Sequence, residues 1–379
     1  MRNNIYRRLF ALVVVLLVAG FAWSDTSGVF QSRQAAFRLE EVESGLQRPW
    51  SVAFLPEGDR LITLKGGDLL YSDGSSTEKV AGVPRIVSVG QGGLLDVVTH
   101  PDFPRNSIVY FTFSEGPAGR QGTSVARARF SAEPSPRLND WEVIFSGNNI
   151  TGGGTHFGSR LVFGTDGMLY VTIGERGQRN RAQDPFDHGG TVIRITGDGG
   201  IPVDNPFRTG GGDPAVYTYG HRNAQGMAVE PGTGKIWLHE HGPKGGDEVN
   251  ILKAGANYGW PVISYGREYS GSQVGAGLTE KTGMEQPELY WSPSIAPSGM
   301  AFYRGDVFPA WKGDLFVGAL AGTHLRRLEI ENGRVIDQEV LLDNTLGRIR
   351  DVRNGPNGFL YILTDGPSAS LYRLVPAEG

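Results

Sequence analysis

The chain repeats one short pattern six times: an apolar run, a tight turn, a second apolar run. The copies are Trp50–Leu64, Gly93–Phe113, Ser159–Ile173, Gln225–Glu240, Ser298–Leu320 and Ile349–Leu363. Each passes through β-branched or aromatic residues, a turn rich in Pro, Asp, Gly or Asn, and a second such run, the signature of a β-hairpin. One residue of each second run serves as a marker: Ile62, Tyr110, Tyr170, Trp237, Phe316 and Tyr361. The markers recur at intervals of roughly 45 to 80 residues, room for four strands with loops of unequal length. All-strand repeats of this size close radially, because closure leaves only short protected edges. The expected fold is an all-β, six-bladed β-propeller of four-stranded antiparallel blades, a single domain over 37–379. Phe37–Val42 is expected to supply the strand that closes the ring against the last blade.

The first residues stand apart. Arg2, Arg7 and Arg8 precede an apolar run from Leu9 to about Trp23, and Ala22-Trp-Ser24 offers a small-x-small cleavage site. This pattern predicts a secretory signal peptide over 1–24, with an uncleaved N-terminal anchor as the alternative. Residues 25–36 read as a flexible lead-in. The expected location is therefore the periplasm or another exported compartment, with no membrane span after cleavage. The chain has 0 cysteines, which excludes disulfides, thiolate metal sites, haem attachment and a Cys nucleophile. The net charge is −4, and it becomes more negative once the three N-terminal arginines are removed. No basic run follows Arg8, which argues against nucleic acid as a partner.

Polar residues gather just upstream of the hairpins, where a propeller chain enters each blade from one face. They are Gln91, His156, Arg222 with Asn223, and Arg348 with Arg350. Their similar distances from the markers place them around one mouth of the channel. Three arginines, one histidine and two amides there suit an anionic ligand with a base beside it. Taken singly, each has a plainer reading: a hydrogen-bonded structural histidine, a turn cap, or an ion-paired strand face.

A second group lies in His239–Glu248, followed by Asn257–Pro261. Gly242 and Pro243 break the strand and can turn carbonyls inward, while Asp247 and Glu248 add carboxylates. An oxygen-only ligand set suits calcium rather than zinc or copper; a plain surface turn is the alternative. The sequence contains no G-x-S-x-G nucleophile elbow, P-loop or HExxH helix, and no carboxylate pair marks a glycosidase.

These residues lie in motifs that resemble the soluble pyrroloquinoline quinone (PQQ)-dependent sugar dehydrogenases, the glucose/sorbosone dehydrogenase family, and most of all its bacterial aldose sugar dehydrogenase branch. The motifs span Gly90–Phe103, His156–Phe163, Tyr219–Ala228, Glu240–Pro261, Ala296–Tyr303 and Gly347–Gly358. The resemblance implies PQQ- and calcium-dependent oxidation of an aldose to a lactone, with electrons leaving to a separate acceptor. It implies that His156 is the catalytic base, that Arg222 and Asn223 contact the quinone oxygens, and that Gln91 lines the site. Arg348 and Arg350 would clamp the cofactor carboxylates. The carbonyls of Gly242 and Pro243 would bind the calcium that bridges protein and PQQ, with Asp247 orienting that site from outside. Glu248 and the backbone of Tyr258 would bind a second calcium. The chain departs from the family at Ala321, where a cofactor-contacting lysine is common, and at Thr155, where glucose-oxidising relatives carry an acid. Two other readings remain open at this point: a catalytically silent sugar- or protein-binding propeller, and a calcium-dependent hydrolase of the lactonase type.

Overall fold

The computed structural model describes residues 28–117 and 119–377. The segment expected as a signal peptide lies outside the described residues, and no helix among the described residues is long and apolar enough to cross a membrane. Among the described residues, six antiparallel sheets account for nearly all the regular structure, and the helical segments are three short turns. From the channel outward the blades begin with Pro49–Phe54, Leu94–Thr99, Gly158–Phe163, Ala224–Val229, Pro297–Phe302 and Ile349–Asn354. Each inner strand touches the next, and the sixth touches the first, so the ring closes.

The closing strand is Ala36–Leu46, which pairs with Ala369–Pro376 of the last blade, Leu39 opposite Leu374. This N-terminal strand completes a blade begun by the C-terminus and ties the two ends of the chain together. Of the stretch expected as a lead-in, Phe30–Gln31 add a further short strand against Ala36 and Phe37, and Arg33 pairs with Asp337.

Six apolar clusters fill the six gaps between neighbouring blades. Tyr110 packs between blades two and three, Tyr170 between three and four, Trp237 between four and five, Phe316 between five and six, and Tyr361 between six and one. Five of the six sequence markers therefore occupy equivalent places. Ile62 does not. It faces the gap between blades six and one, and Leu61 takes the equivalent place between one and two. Side chains alternate across a strand, so a marker displaced by one residue lands on the opposite face of its blade.

Every inner strand also breaks register near the same end, between Pro49 and Ser51, Leu94 and Val97, Gly158 and Leu161, Ala224 and Gly226, Pro297 and Met300, and Ile349 and Asp351. Such irregularities bend a strand and re-aim a side chain. Here they deliver Trp50, Leu95, Gln225 and Arg350 to the floor of one cavity. Two of the breaks need glycine. A Cβ on Gly226 would lie 2.0 Å from the His239 ring, and one on Gly299 would lie 2.1 Å from the Asp351 carboxylate.

Candidate active site

At that end of the channel lies a cavity of about 310 Å³. Its walls bring together Gln91, Asn223, Arg348 and Arg350 with Trp50, Phe157, His241 and Asp365. His156 does not line it but precedes Phe157 in the chain and is hydrogen-bonded to Gln91, both of which do. The backbone of His156 is held in the left-handed region at φ 54°. Its N–H donates to Gln91 Oε1 at 2.7 Å, and its carbonyl accepts the Arg176 N–H at 3.3 Å. Backbone strain that the surroundings over-determine in this way fixes where the side chain points.

The His156 ring meets Glu175, Nδ1 to Oε1, at 2.8 Å, and Glu175 is almost wholly buried. A carboxylate accepting at Nδ1 puts the proton on that nitrogen and leaves Nε2 as the ring's free acceptor. This is the geometry of an oriented base.

Arg348 Nε donates to Asp365 Oδ2 at 2.9 Å, and Arg350 Nη2 reaches the same oxygen at 3.4 Å. Two guanidinium groups thus share one carboxylate, and buried Arg350 Nε finds no partner among the described residues. Burial holds the Arg350 guanidinium below its ordinary range. His241 Nε2 donates to the Pro297 carbonyl at 2.6 Å. Burial, with the nearby charges of Arg222 and Arg350, pushes this imidazole down to about 3 and keeps it neutral.

Arg222 lies in an adjoining crevice with Gly242, Glu240, Glu248 and Tyr258. Its Nη1 donates to the carbonyls of His241 (3.2 Å) and Gly242 (3.0 Å), its guanidinium lies 5.3 Å from the Trp260 ring, and its Nε is unpartnered among the described residues. Asn223 accepts the Gly158 N–H at 3.1 Å. Asp247 accepts from the Gly242 N–H at 2.9 Å, from Ser294, and from the Ile295 and Ala296 N–H groups. It holds the Gly242–Pro243 turn from behind. Glu240 accepts from His221 Nδ1 at 2.7 Å and pairs in register with Glu248 on the next strand. Burial, then the charge of Glu240, pushes the Glu248 carboxyl up to about 8. Tyr258 stacks on His221 with centroids 4.6 Å apart.

The residues present suit the groups that the resemblance implies. A cavity lined by the guanidinium groups of Arg348 and Arg350 and by one carboxylate, Asp365, fits a polycarboxylate anion. A buried carboxyl, Glu248, held above its ordinary range by burial and by the charge of Glu240 beside it, fits a cation.

A family model described as glucose/sorbosone dehydrogenase matches residues 46–373. The chain belongs to the glucose/sorbosone dehydrogenase family. It is 40% identical to aldose sugar dehydrogenase YliI of Escherichia coli, over 98% of this chain and 99% of that one. The solved apo-form of the soluble E. coli aldose sugar dehydrogenase superposes with a TM-score of 0.86 at 41% identity, covering 90% of this chain and all of the other. The PQQ-bound aldose sugar dehydrogenase of Streptomyces coelicolor superposes with a TM-score of 0.76 at 29% identity, covering 90% and 98%.

Reading upstream of each hairpin finds half of this site. The other half follows each second strand. Lys65, His241, Leu320 and Asp365 are the first residues past Arg60–Leu64, Ile236–Glu240, Leu315–Ala319 and Leu360–Thr364, and all four line the cavity. Glu175 stands one residue further along in blade three. Counting forward from the markers as well as backward exposes all five.

Proposed function

We propose that this protein oxidises an aldose to its lactone with PQQ as cofactor and calcium as its ion, and passes the electrons to a separate acceptor. The observation that carries this reading is the His156–Glu175 pair held by Gln91, which lines a cavity whose wall also presents Arg348 and Arg350. PQQ, when bound, would supply the two-electron acceptor for the hydride leaving the anomeric carbon. His156 Nε2 takes the proton of the anomeric hydroxyl, and Glu175 stabilises the imidazolium so formed. Gln91 fixes the His156 backbone. Arg348 and Arg350 hold ligand carboxylates as guanidinium forks, and Asp365 keeps both forks aimed. Arg222 and Asn223 stand where charge develops. The Gly242 and Pro243 carbonyls, steadied by Asp247, are the proposed ligands of one calcium; Glu248 and Tyr258 are those of a second. The N-terminal arginines and apolar run support export.

Purified apoprotein mixed with PQQ and calcium should reduce a dye when given aldoses. Failure to bind PQQ would leave a binding propeller as the better account, and lactone hydrolysis without PQQ would favour the hydrolase.

Calcium has a further expected signature. A carboxyl raised to about 8 from 4.5 keeps a proton in the folded state that the unfolded chain releases. Its contribution to stability is present below the ordinary value and lost as pH rises through about 8. A cation favours the ionised form and offsets that loss. Added calcium should therefore raise Tm more at about pH 8 than at about pH 5, and Glu248→Gln should remove most of the difference. A calcium effect independent of pH would take Glu248 out of the ligand set.

Ala321 is exposed at the rim, one residue beyond Leu320. A charge-assisted hydrogen bond to a partly buried carboxylate contributes roughly 1.5–3 kcal/mol. Ala321→Lys should thus tighten PQQ binding about tenfold or more at low salt. Equal affinities in a PQQ titration would mean that another cation already meets that carboxylate.

A further inference from the structure

We propose that Lys65, on the first blade, is a cofactor-binding residue whose ammonium meets a carboxylate of the anion held by Arg348 and Arg350. The inference rests on the PQQ reading above and goes beyond it by assigning a contact to a blade so far without one.

Position is the first argument. At the same point on four blades, the residue leaving the second strand donates its N–H to the carbonyl of a residue just ahead of, or opening, the inner strand. The pairs are Lys65 to Arg48 (2.9 Å), His241 to Asn223 (3.2 Å), Leu320 to Ala296 (2.9 Å) and Asp365 to Arg348 (2.8 Å). The approximate six-fold repeat therefore points Lys65 into the same cavity as His241 and Asp365, and it lines that cavity with them.

Charge is the second. Leu320 is apolar, and Asp365 is engaged by two arginines. Lys65 Nζ donates to the Gly90 carbonyl at 2.9 Å and has no carboxylate at ion-pair distance among the described residues. An ammonium has three N–H donors, so two remain for a ligand. Burial, and after it the charge of Arg350, holds the Lys65 ammonium below its ordinary range, while Asp365 opposes this. A cavity that gathers Lys65, Arg348 and Arg350 around one carboxylate is short of negative charge, and a polycarboxylate supplies it.

Geometry is the third. Blade one lies between blade six, which carries both arginines, and blade two, which carries Gln91. Lys65 thus stands between the carboxylate clamp and the side of the cavity where Gln91 holds His156.

The test is equilibrium dialysis of PQQ against the calcium-loaded protein. Lys65→Met should raise Kd about ten- to hundredfold, and Lys65→Arg should recover most of the loss. Lys65→Gln, which can still donate to Gly90, should bind as weakly as Lys65→Met. PQQ trimethyl ester, with its carboxylate charges masked, should bind the native protein and Lys65→Met alike. Native-like affinity in both neutral variants would overturn the proposal. So would an equal loss of ester binding, which would mean that Lys65 acts by holding the Gly90–Gln91 turn. If the native protein itself fails to bind PQQ, the cofactor reading falls, and the Lys65 contact with it. Tight native binding with an unaffected Lys65→Met removes the Lys65 contact alone.

Discussion

Replacing His156 with alanine should lower turnover of the PQQ-loaded protein at least about a hundredfold while PQQ affinity stays nearly constant. General-base catalysis contributes about 10²–10⁴-fold, and the proposed base, His156, has its Nδ1 engaged by Glu175 and its backbone pinned by Gln91. The proposed anion clamp lies elsewhere, at Arg348 and Arg350, so binding should survive the change. Glu175→Gln tests the orientation separately. An amide can keep a hydrogen bond at Nδ1 but withdraws the charge that stabilises the imidazolium. Turnover should fall less than in His156→Ala, and the acidic limb of the pH–rate profile should move. A merely structural Glu175 would lower stability and leave that limb in place. Unchanged turnover of the His156→Ala protein, loaded with PQQ, would take His156 out of the mechanism.

The fold was legible in the sequence because a blade is a local object. Its alternation of apolar residues and its turn chemistry lie within a few tens of residues, and six copies average out errors such as the one-residue slip at Ile62. The upstream half of the site was legible for the same reason. Gln91, Asn223, Arg348 and Arg350 occupy repeated positions, and a repeat converts sequence offset into place around a ring. Glu175 and Asp365 were missed because they sit past the second strand, where an isolated acid looks like an ordinary turn residue. Glu240 was hidden differently. Within His239-Glu-His241 it reads as one strand residue among polar neighbours, and its meaning comes from its pairing with Glu248. Hardest to see was the interior of the channel. Asp96, Arg160, Asp351 and Arg353 belong to three blades, and no spacing along the chain says that four charges meet on one axis.

That meeting supports the largest stability effect expected here. Asp96 and Asp351 are fully buried, and Arg160 is almost so. Arg160 Nη1 lies 3.1 Å from Asp96 and 3.0 Å from Asp351; Arg353 reaches the same two carboxylates at 2.6 and 2.8 Å. Ser51 Oγ and the Leu161 N–H complete the set at Asp96, and Arg160 lies 4.5 Å from the Trp50 ring on the cavity floor. Burial opposes ionisation of Asp351, but the charges of Arg160 and Arg353 outweigh it and hold the carboxyl below its usual range. Two cations therefore balance two anions whose carboxylates are fully buried. Removing one partner of such a set leaves a charge that has lost its water and its counter-ion, typically at a cost of about 3–5 kcal/mol. Asp96→Asn should destabilise the protein by that amount, read as a lower urea midpoint at unchanged slope. A double variant separates the causes. Asp96→Asn with Arg353→Gln restores one cation against one anion, so it should be clearly more stable than the sum of the two single changes predicts. Additive losses would mean that the hydrogen bonds, rather than the charge balance, hold the channel together. A midpoint unmoved by Asp96→Asn would mean that the axis of the propeller contributes little to its stability.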